Sequence, residues 1–118
     1  MADMIEKREL LNELYDLYGA MLTEKQKKYF ILYYQEDFSL AEIAEGENIS
    51  RNAVYDNLKR TENILTSMEE KLGFLKRIEV TRNDLYKISS VLQEVQETED
   101  YDQLDTIKTY IEEIADNI

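Results

Sequence analysis

The sequence predicts an all-α protein in which a helix-turn-helix bundle without a β-wing is followed by a helical hairpin, and three observations predict it. Pro is absent from the 118 residues, and the three glycines, Gly19, Gly46 and Gly73, lie at or near the ends of apolar-periodic segments, where glycine punctuates helices. No stretch of β-branched residues alternates with polar ones over more than a few positions, so strand signals are missing. From Ser39 to Arg60 the chain reads Ser-Leu-Ala-Glu-Ile-Ala-Glu-Gly-Glu-Asn-Ile-Ser-Arg-Asn-Ala-Val-Tyr-Asp-Asn-Leu-Lys-Arg, a short helix, a turn and a second helix.

The first helix is expected from Met4 to Tyr18, with Leu10, Leu11, Leu14, Leu17 and Tyr18 on one apolar face and Gly19 closing it. Thr23 and Gln26 form a capping box that opens the second, which carries Phe30, Ile31, Tyr33 and Tyr34 to about Glu36. A further box, Ser39 with Glu42, opens the third, which is expected to stop near Gly46, and Ser50 caps the fourth. Along the fourth, Val54, Thr61, Met68 and Leu75 recur every seven residues, and Leu58, Leu65 and Leu72 lie four positions on. This 3-4 seam packs either on the first helix or on a second copy of the chain. Beyond Val80, one amphipathic stretch holds Leu85, Ile88, Val91, Leu92 and Val95, and another Leu104, Ile107, Tyr110, Ile111, Ile114 and Ile118. The domains expected are residues 1–75, the helix-turn-helix unit, and residues 76–118, an acidic hairpin for oligomerisation or partner binding.

Composition narrows the function. The length suits one domain with a helical appendage, able to bury roughly two-thirds of its unfolded surface. There is no Cys and no His, which removes disulfides, thiolate ligands, a cysteine nucleophile and the commonest general base. No Gly-rich phosphate loop, Ser-Lys pair at helical spacing or paired-carboxylate pocket stands out, so no enzyme and no cofactor is expected. The first residues carry acids and no apolar run approaches the ~18 residues of a span, so a cytoplasmic protein without membrane insertion is expected. The formal charge is -12, and from Glu94 onward nine acids face only Lys108. Such acidity opposes non-specific adhesion to nucleic acid.

Against that charge stands a locally basic motif. Ala44 supplies the small contact residue between the two helices, Asn48 sits where a left-handed backbone is usually needed, and Ile49 is expected to plug the turn. With Val54 and Leu58 inward, the second helix presents Arg51, Asn52, Tyr55, Asp56 and Lys59, with Arg60 at its flank. Arg51 and Asn52 are suited to bidentate contacts with guanine and adenine. Lys59, Arg60, Lys25, Lys27 and Lys28 are either phosphate partners or solvated charges. Asp56 opposes binding unless it accepts a hydrogen bond from a cytosine amino group.

The motif resembles a known family. Ser-Leu-Ala-Glu-Ile-Ala and Ser-Arg-Asn-Ala-Val-Tyr-Asp-Asn-Leu-Lys-Arg-Thr-Glu, with Leu-Thr-Glu-Lys-Gln and Leu-Tyr-Tyr-Gln-Glu-Asp upstream, look like the bacterial YlxM family of helix-turn-helix proteins over about residues 10–75. The resemblance implies a fold like region four of sigma factors and a regulatory or accessory role near the signal recognition particle pathway, whose GTPase gene tends to lie beside theirs. The chain departs from related motifs at Glu47, where a large apolar residue usually precedes the turn Gly, and at Gly46, one step early. An early end or loose packing of the third helix is the expected result.

Among the nine tyrosines, Tyr15, Tyr18, Tyr29, Tyr33, Tyr34 and Tyr110 lie on or beside apolar faces and are expected in the core, whereas Tyr55 is free for nucleic-acid contact. Glu97, Glu99, Asp100 and Asp102 invite a metal reading, but Leu104 occupies a ligand position of a calcium loop and no Gly makes its turn. A solvated helix start is the simpler reading, and no metal is expected. Two functions remain: a regulator of DNA or RNA, homodimeric through its C-terminal helices with recognition helices about one DNA turn (~34 Å) apart, or an interaction module whose acidic tail meets a basic component of the signal recognition particle.

Overall fold

The computed structural model describes residues 2–117, and the side chains of residues 4–117. Six α-helices run in order: α1 (Ala2–Tyr18), α2 (Glu24–Phe30), α3 (Leu40–Glu47), α4 (Arg51–Leu72), α5 (Phe74–Thr98) and α6 (Leu104–Asp116), with no strand among the described residues. Among the described residues no helix is long and apolar enough to cross a membrane. The chain divides into two compact units, Met1–Leu75 and Lys76–Ile118.

In the first unit, α1, α2 and α3 pack on α4 around Leu11, Leu14, Tyr18, Leu22, Tyr29, Phe30, Ile43, Val54, Leu58 and Leu65, all buried. The α4 seam is thus buried within the chain along Val54, Leu58, Thr61 and Leu65, with Met68 half-buried against the same core. It ends before Leu72, which is 47% exposed. Buried Thr61 satisfies its hydroxyl by donating to the Asn57 carbonyl at 3.0 Å. On α1, Leu10 faces outward, contrary to the expected face. The second helix is α-helical only to Phe30. Ile31–Gln35 continues as a π-helical turn, closed by Glu36 N–H donating to the Ile31 carbonyl at 2.9 Å. The wider turn brings Tyr34 inward, where its ring lies 4.8 Å from Phe30 and 4.9 Å from Tyr33, and Phe30 stacks on Tyr15 at 4.7 Å.

The three glycines lie at or next to helix ends as expected, Gly19 directly after α1, Gly46 one residue before the end of α3 and Gly73 after α4. Gly73 alone among the three takes a positive φ, 66°, and closes α4. The other left-handed turns fall to Asp37, Asn48 and Glu99. Gly46 remains inside α3, and Gly19 makes room for the Tyr15 ring, which a Cβ would meet at 3.1 Å.

The start of α5 has no local cap. Instead Glu69, on α4, accepts from the Leu75 amide at 3.0 Å, and Tyr18, on α1, accepts from the Phe74 amide at 3.3 Å while donating to Glu69 at 2.7 Å. These satisfy amides that a helix start otherwise leaves unpaired. Burial, and then the Glu69 carboxylate that takes its proton in a hydrogen bond, hold the Tyr18 hydroxyl above its ordinary pKa.

The second unit is a hairpin. Lys87 on α5 lies over the Tyr110 ring of α6 at 6.0 Å, so α6 folds back along α5. Ile88 and Val95 of α5 and Ile107 of α6 are its buried apolar residues. Asp100 accepts from the Asp102 amide at 3.3 Å and so caps the 3-10 turn Tyr101–Gln103 that leads into α6. Ile118, the last apolar position expected on this stripe, lies outside the described residues.

Candidate nucleic-acid interface

The helix-turn-helix is built from local hydrogen bonds. Ser39 Oγ accepts from the Glu42 amide and Glu42 Oε1 accepts from the Ser39 amide, both at 3.1 Å. The serine contacts hold the Glu42 carboxyl below its ordinary pKa, because they favour the charged form. At the other end of α3, Asn48 adopts φ 56° and ψ 45°. The Ile49 amide then reaches the Ala44 carbonyl at 3.1 Å and the Asn48 amide the Glu45 carbonyl at 3.3 Å, the paired bonds of a Schellman turn. Ser50 Oγ caps α4 by accepting from the Ala53 amide at 3.1 Å.

Two expectations about the turn are corrected. Ile49 does not plug it: its side chain is 36% exposed, because the turn is held by backbone bonds and by Ile43 and Ala44 beneath it. Nor does Glu47 end α3 early. It is the last helical residue, and its half-buried carboxylate pairs with Lys28 of α2, so an ion pair occupies the place of the usual apolar contact. That hydrogen bond and charge raise the Lys28 pKa.

The pairing also sorts the basic residues. Lys28 is engaged by Glu47 and Lys27 by Glu24 at 3.4 Å. Among the described residues no hydrogen bond or ion pair engages the side chains of Arg51, Asn52, Lys59, Arg60 or Lys25, and all five are exposed. Arg51, Asn52 and Tyr55 line one shallow hollow with Leu40 at the start of α3, and Tyr55 is 51% exposed. Lys59 borders an adjoining hollow that also includes Tyr55. Arg60 lies on the other flank of α4, in a hollow with Lys25, Asp56 and Asn57. Asp56 therefore stands among two cations and apart from the hollow that holds Arg51 and Asn52.

Sequence reasoning missed the polar cluster beneath this helix. Glu62 of α4, 9% exposed, is paired with Lys7 of α1 at 2.9 Å, and Tyr34 faces the same carboxylate. Burial first, then Glu62, push the Tyr34 hydroxyl well above its ordinary pKa. Arg8 pairs with Asp37, donates to the Tyr34 carbonyl at 3.3 Å and lies over the Tyr34 ring. The partners are 26 to 55 positions apart, and no local signal joins them. Of the tyrosines, Tyr18, Tyr29 and Tyr34 are buried and Tyr15, Tyr33 and Tyr110 half-buried, which leaves Tyr55 as the exposed ring on the recognition helix.

Comparison with known proteins places this geometry in a family. The profile described as "Putative helix-turn-helix protein, YlxM / p13 like" matches residues 5–109. A UPF0122 protein of Halalkalibacterium halodurans is 50% identical over 97 residues, 82% of this chain and 83% of its own. YofM of Lactococcus lactis subsp. lactis is 56% identical over 81 residues, 69% and 72% of the two chains. YlxM of Bacillus subtilis is 46% identical over 96 residues, 81% and 87%. With the match extending through α4 and α5 into α6, the chain belongs to the YlxM / p13-like helix-turn-helix family.

Proposed function

We propose that this protein is a small cytoplasmic nucleic-acid-binding regulator. The observation that carries the reading is the exposed N-terminal half of α4, where Arg51, Asn52, Tyr55 and Lys59 stand side by side with no acid of the fold engaging the two cations. Arg51 and Asn52 read base edges in the groove. Tyr55 contacts a base or sugar beside them, and Lys59 and Arg60 hold phosphates. The net negative charge selects against non-specific binding, so affinity rests on this one surface and weakens steeply with salt.

The test is a salt titration by fluorescence anisotropy against randomised duplex DNA and randomised RNA pools, followed by selection from the better-bound pool. Arg51→Ala is expected to weaken binding to a selected sequence by about tenfold or more, and Lys59→Ala to reduce the salt slope by about one. Absence of binding at low salt, or identical binding by Arg51→Ala, overturns the reading.

A second reading rests on the nine acids from Glu94 onward, against Lys108 alone. In it the protein associates with a basic component of the signal recognition particle, as the family resemblance suggests, and opposite charge steers the encounter. Converting Glu94, Glu97, Glu99, Asp100 and Asp102 to their amides is then expected to abolish co-purification with such a component. Retained association removes the role of the tail.

A further inference from the structure

The hollow that Lys59 borders, about 170 Å³ in volume, is shared between two helices. Tyr55, Lys59 and Glu62 enter it from α4, and Lys7 enters it from α1. Lys7 Nζ lies 2.9 Å from Glu62 Oε1, and the lysine side chain is 55% exposed where that of the glutamate is 11% exposed. An ammonium has three N–H donors. The contact with Glu62 uses one of them and leaves the head of Lys7 toward solvent with donors to spare.

Helix phase aligns this cation with the exposed row of α4. At about 100° per residue, Arg51, Tyr55 and Glu62 fall within roughly 40° of one another, and Lys59 lies roughly 40° further outward than Tyr55. At 1.5 Å per residue, the level of Glu62, where Lys7 is held, is roughly 16 Å beyond Arg51 and only about 4–5 Å beyond Lys59. Lys7 therefore stands at the next step along the same line, although it belongs to another helix. Around this hollow and the adjoining one that holds Arg51 and Asn52, the charged side chains are Lys7, Arg51 and Lys59 against Glu62 alone. The local balance is positive on a chain of formal charge -12, and an anion is the ligand it favours.

Resting on the nucleic-acid reading above, we propose that Lys7 is a nucleic-acid contact supplied by α1, and that its ammonium and that of Lys59 together hold one backbone phosphate over this hollow. Glu62 is a positioning residue. Its carboxylate, 9% exposed and fixed on α4, keeps the Lys7 head beside Lys59, where an untethered lysine would spend only part of its time. The ordering cost of that long side chain is then met in folding and not at binding. The phosphate takes donors that Glu62 leaves unused. The N-terminal helix thus serves in the interface as well as in the core, and the phosphate contact follows directly on the bases read by Arg51 and Asn52.

Fluorescence anisotropy of the full chain with its selected sequence tests the proposal. Lys7→Gln alone leaves a buried carboxylate unpaired, so the informative variant combines Lys7→Gln with Glu62→Gln, which removes both charges and keeps the net charge. This double variant is expected to bind about eightfold more weakly at ~0.1 M salt and to lower the salt slope by about one, the share of one phosphate. Lys7→Arg keeps both affinity and slope. Adding Lys59→Gln to the double variant weakens binding by less than the product of the separate effects, because both cations act on one group. In the wild type, acetylation of Lys7 and Lys59, read by mass spectrometry, is expected to slow when the sequence is bound, and an unprotected Lys7 overturns the proposal however the variants fold. A double variant that binds with wild-type affinity and slope shows that Lys7 only neutralises Glu62, and overturns the proposal while the nucleic-acid reading stands. No binding by the wild type at low salt overturns both.

Discussion

The two units bury their apolar residues to different extents, although both are helical and both are patterned in threes and fours. Met1–Leu75 closes a core on Phe30, Leu14, Ile43, Val54 and Leu65, each nearly inaccessible, and joins its aromatic rings through Tyr15, Phe30 and Tyr34. Within Lys76–Ile118, Ile88, Val95 and Ile107 are the buried side chains, and Leu85, Leu92, Leu104 and Ile111 remain open. Two helices cannot enclose a seam on every side, whereas three helices around α4 can. The same heptad spacing therefore marks an internal core in one unit and a surface in the other.

Breaking each core in turn gives the largest contrast. Phe30→Ala is expected to cost about 3–5 kcal/mol, and hydrogen exchange should lose protection across α1 to α4 as a cooperative block. Ile88→Ala should cost about 2 kcal/mol, with the loss confined to α5 and α6. A uniform loss across all six helices in both variants would show that the units do not unfold separately.

A smaller effect is expected at the end of the first unit. Glu69→Ala strips the acceptor from the Leu75 amide and the Tyr18 hydroxyl, at about 1–3 kcal/mol. Exchange at the first amides of α5 should quicken, whereas the amide of Ala53, capped by Ser50, should not change. The smallest effect concerns the recognition motif. Glu42 has a folded pKa below its unfolded value, so its contribution to stability is present above the unfolded value and is lost as pH falls through the folded one. Ser39→Ala should flatten this acid limb in a series of thermal melts between pH 6 and about 3, because it lowers stability at neutral and alkaline pH, where the contribution is present, more than at pH 3.

Much of the first unit was legible because its signals are local. A Ser or Thr followed three positions later by Glu or Gln satisfies orphan amides whatever the rest of the chain does, and the boxes at Thr23 and Ser39 form as read. Asn48 was recognisable for the same reason, since a short polar side chain tolerates positive φ. Asp37 and Glu99 take similar φ values without an equally strong residue preference, and the π-helical turn at Ile31–Gln35 depends on Tyr34 finding a place beside Phe30. The exposed row of Arg51, Asn52, Tyr55 and Lys59 followed from helix phase alone, once Val54 and Leu58 were placed inward.

Sequence by itself determined the all-α class, the capped helix starts, the left-handed turn between α3 and α4, and the outward face of the recognition helix, because each depends on bonds spanning at most a few residues. Tertiary structure alone decided which lysines are occupied, with Glu47 taking Lys28, and where Asp56 stands. It also decided how α5 starts, through an acceptor on α4 and a tyrosine on α1. Those outcomes depend on distances between residues far apart in the chain, and packing creates those distances.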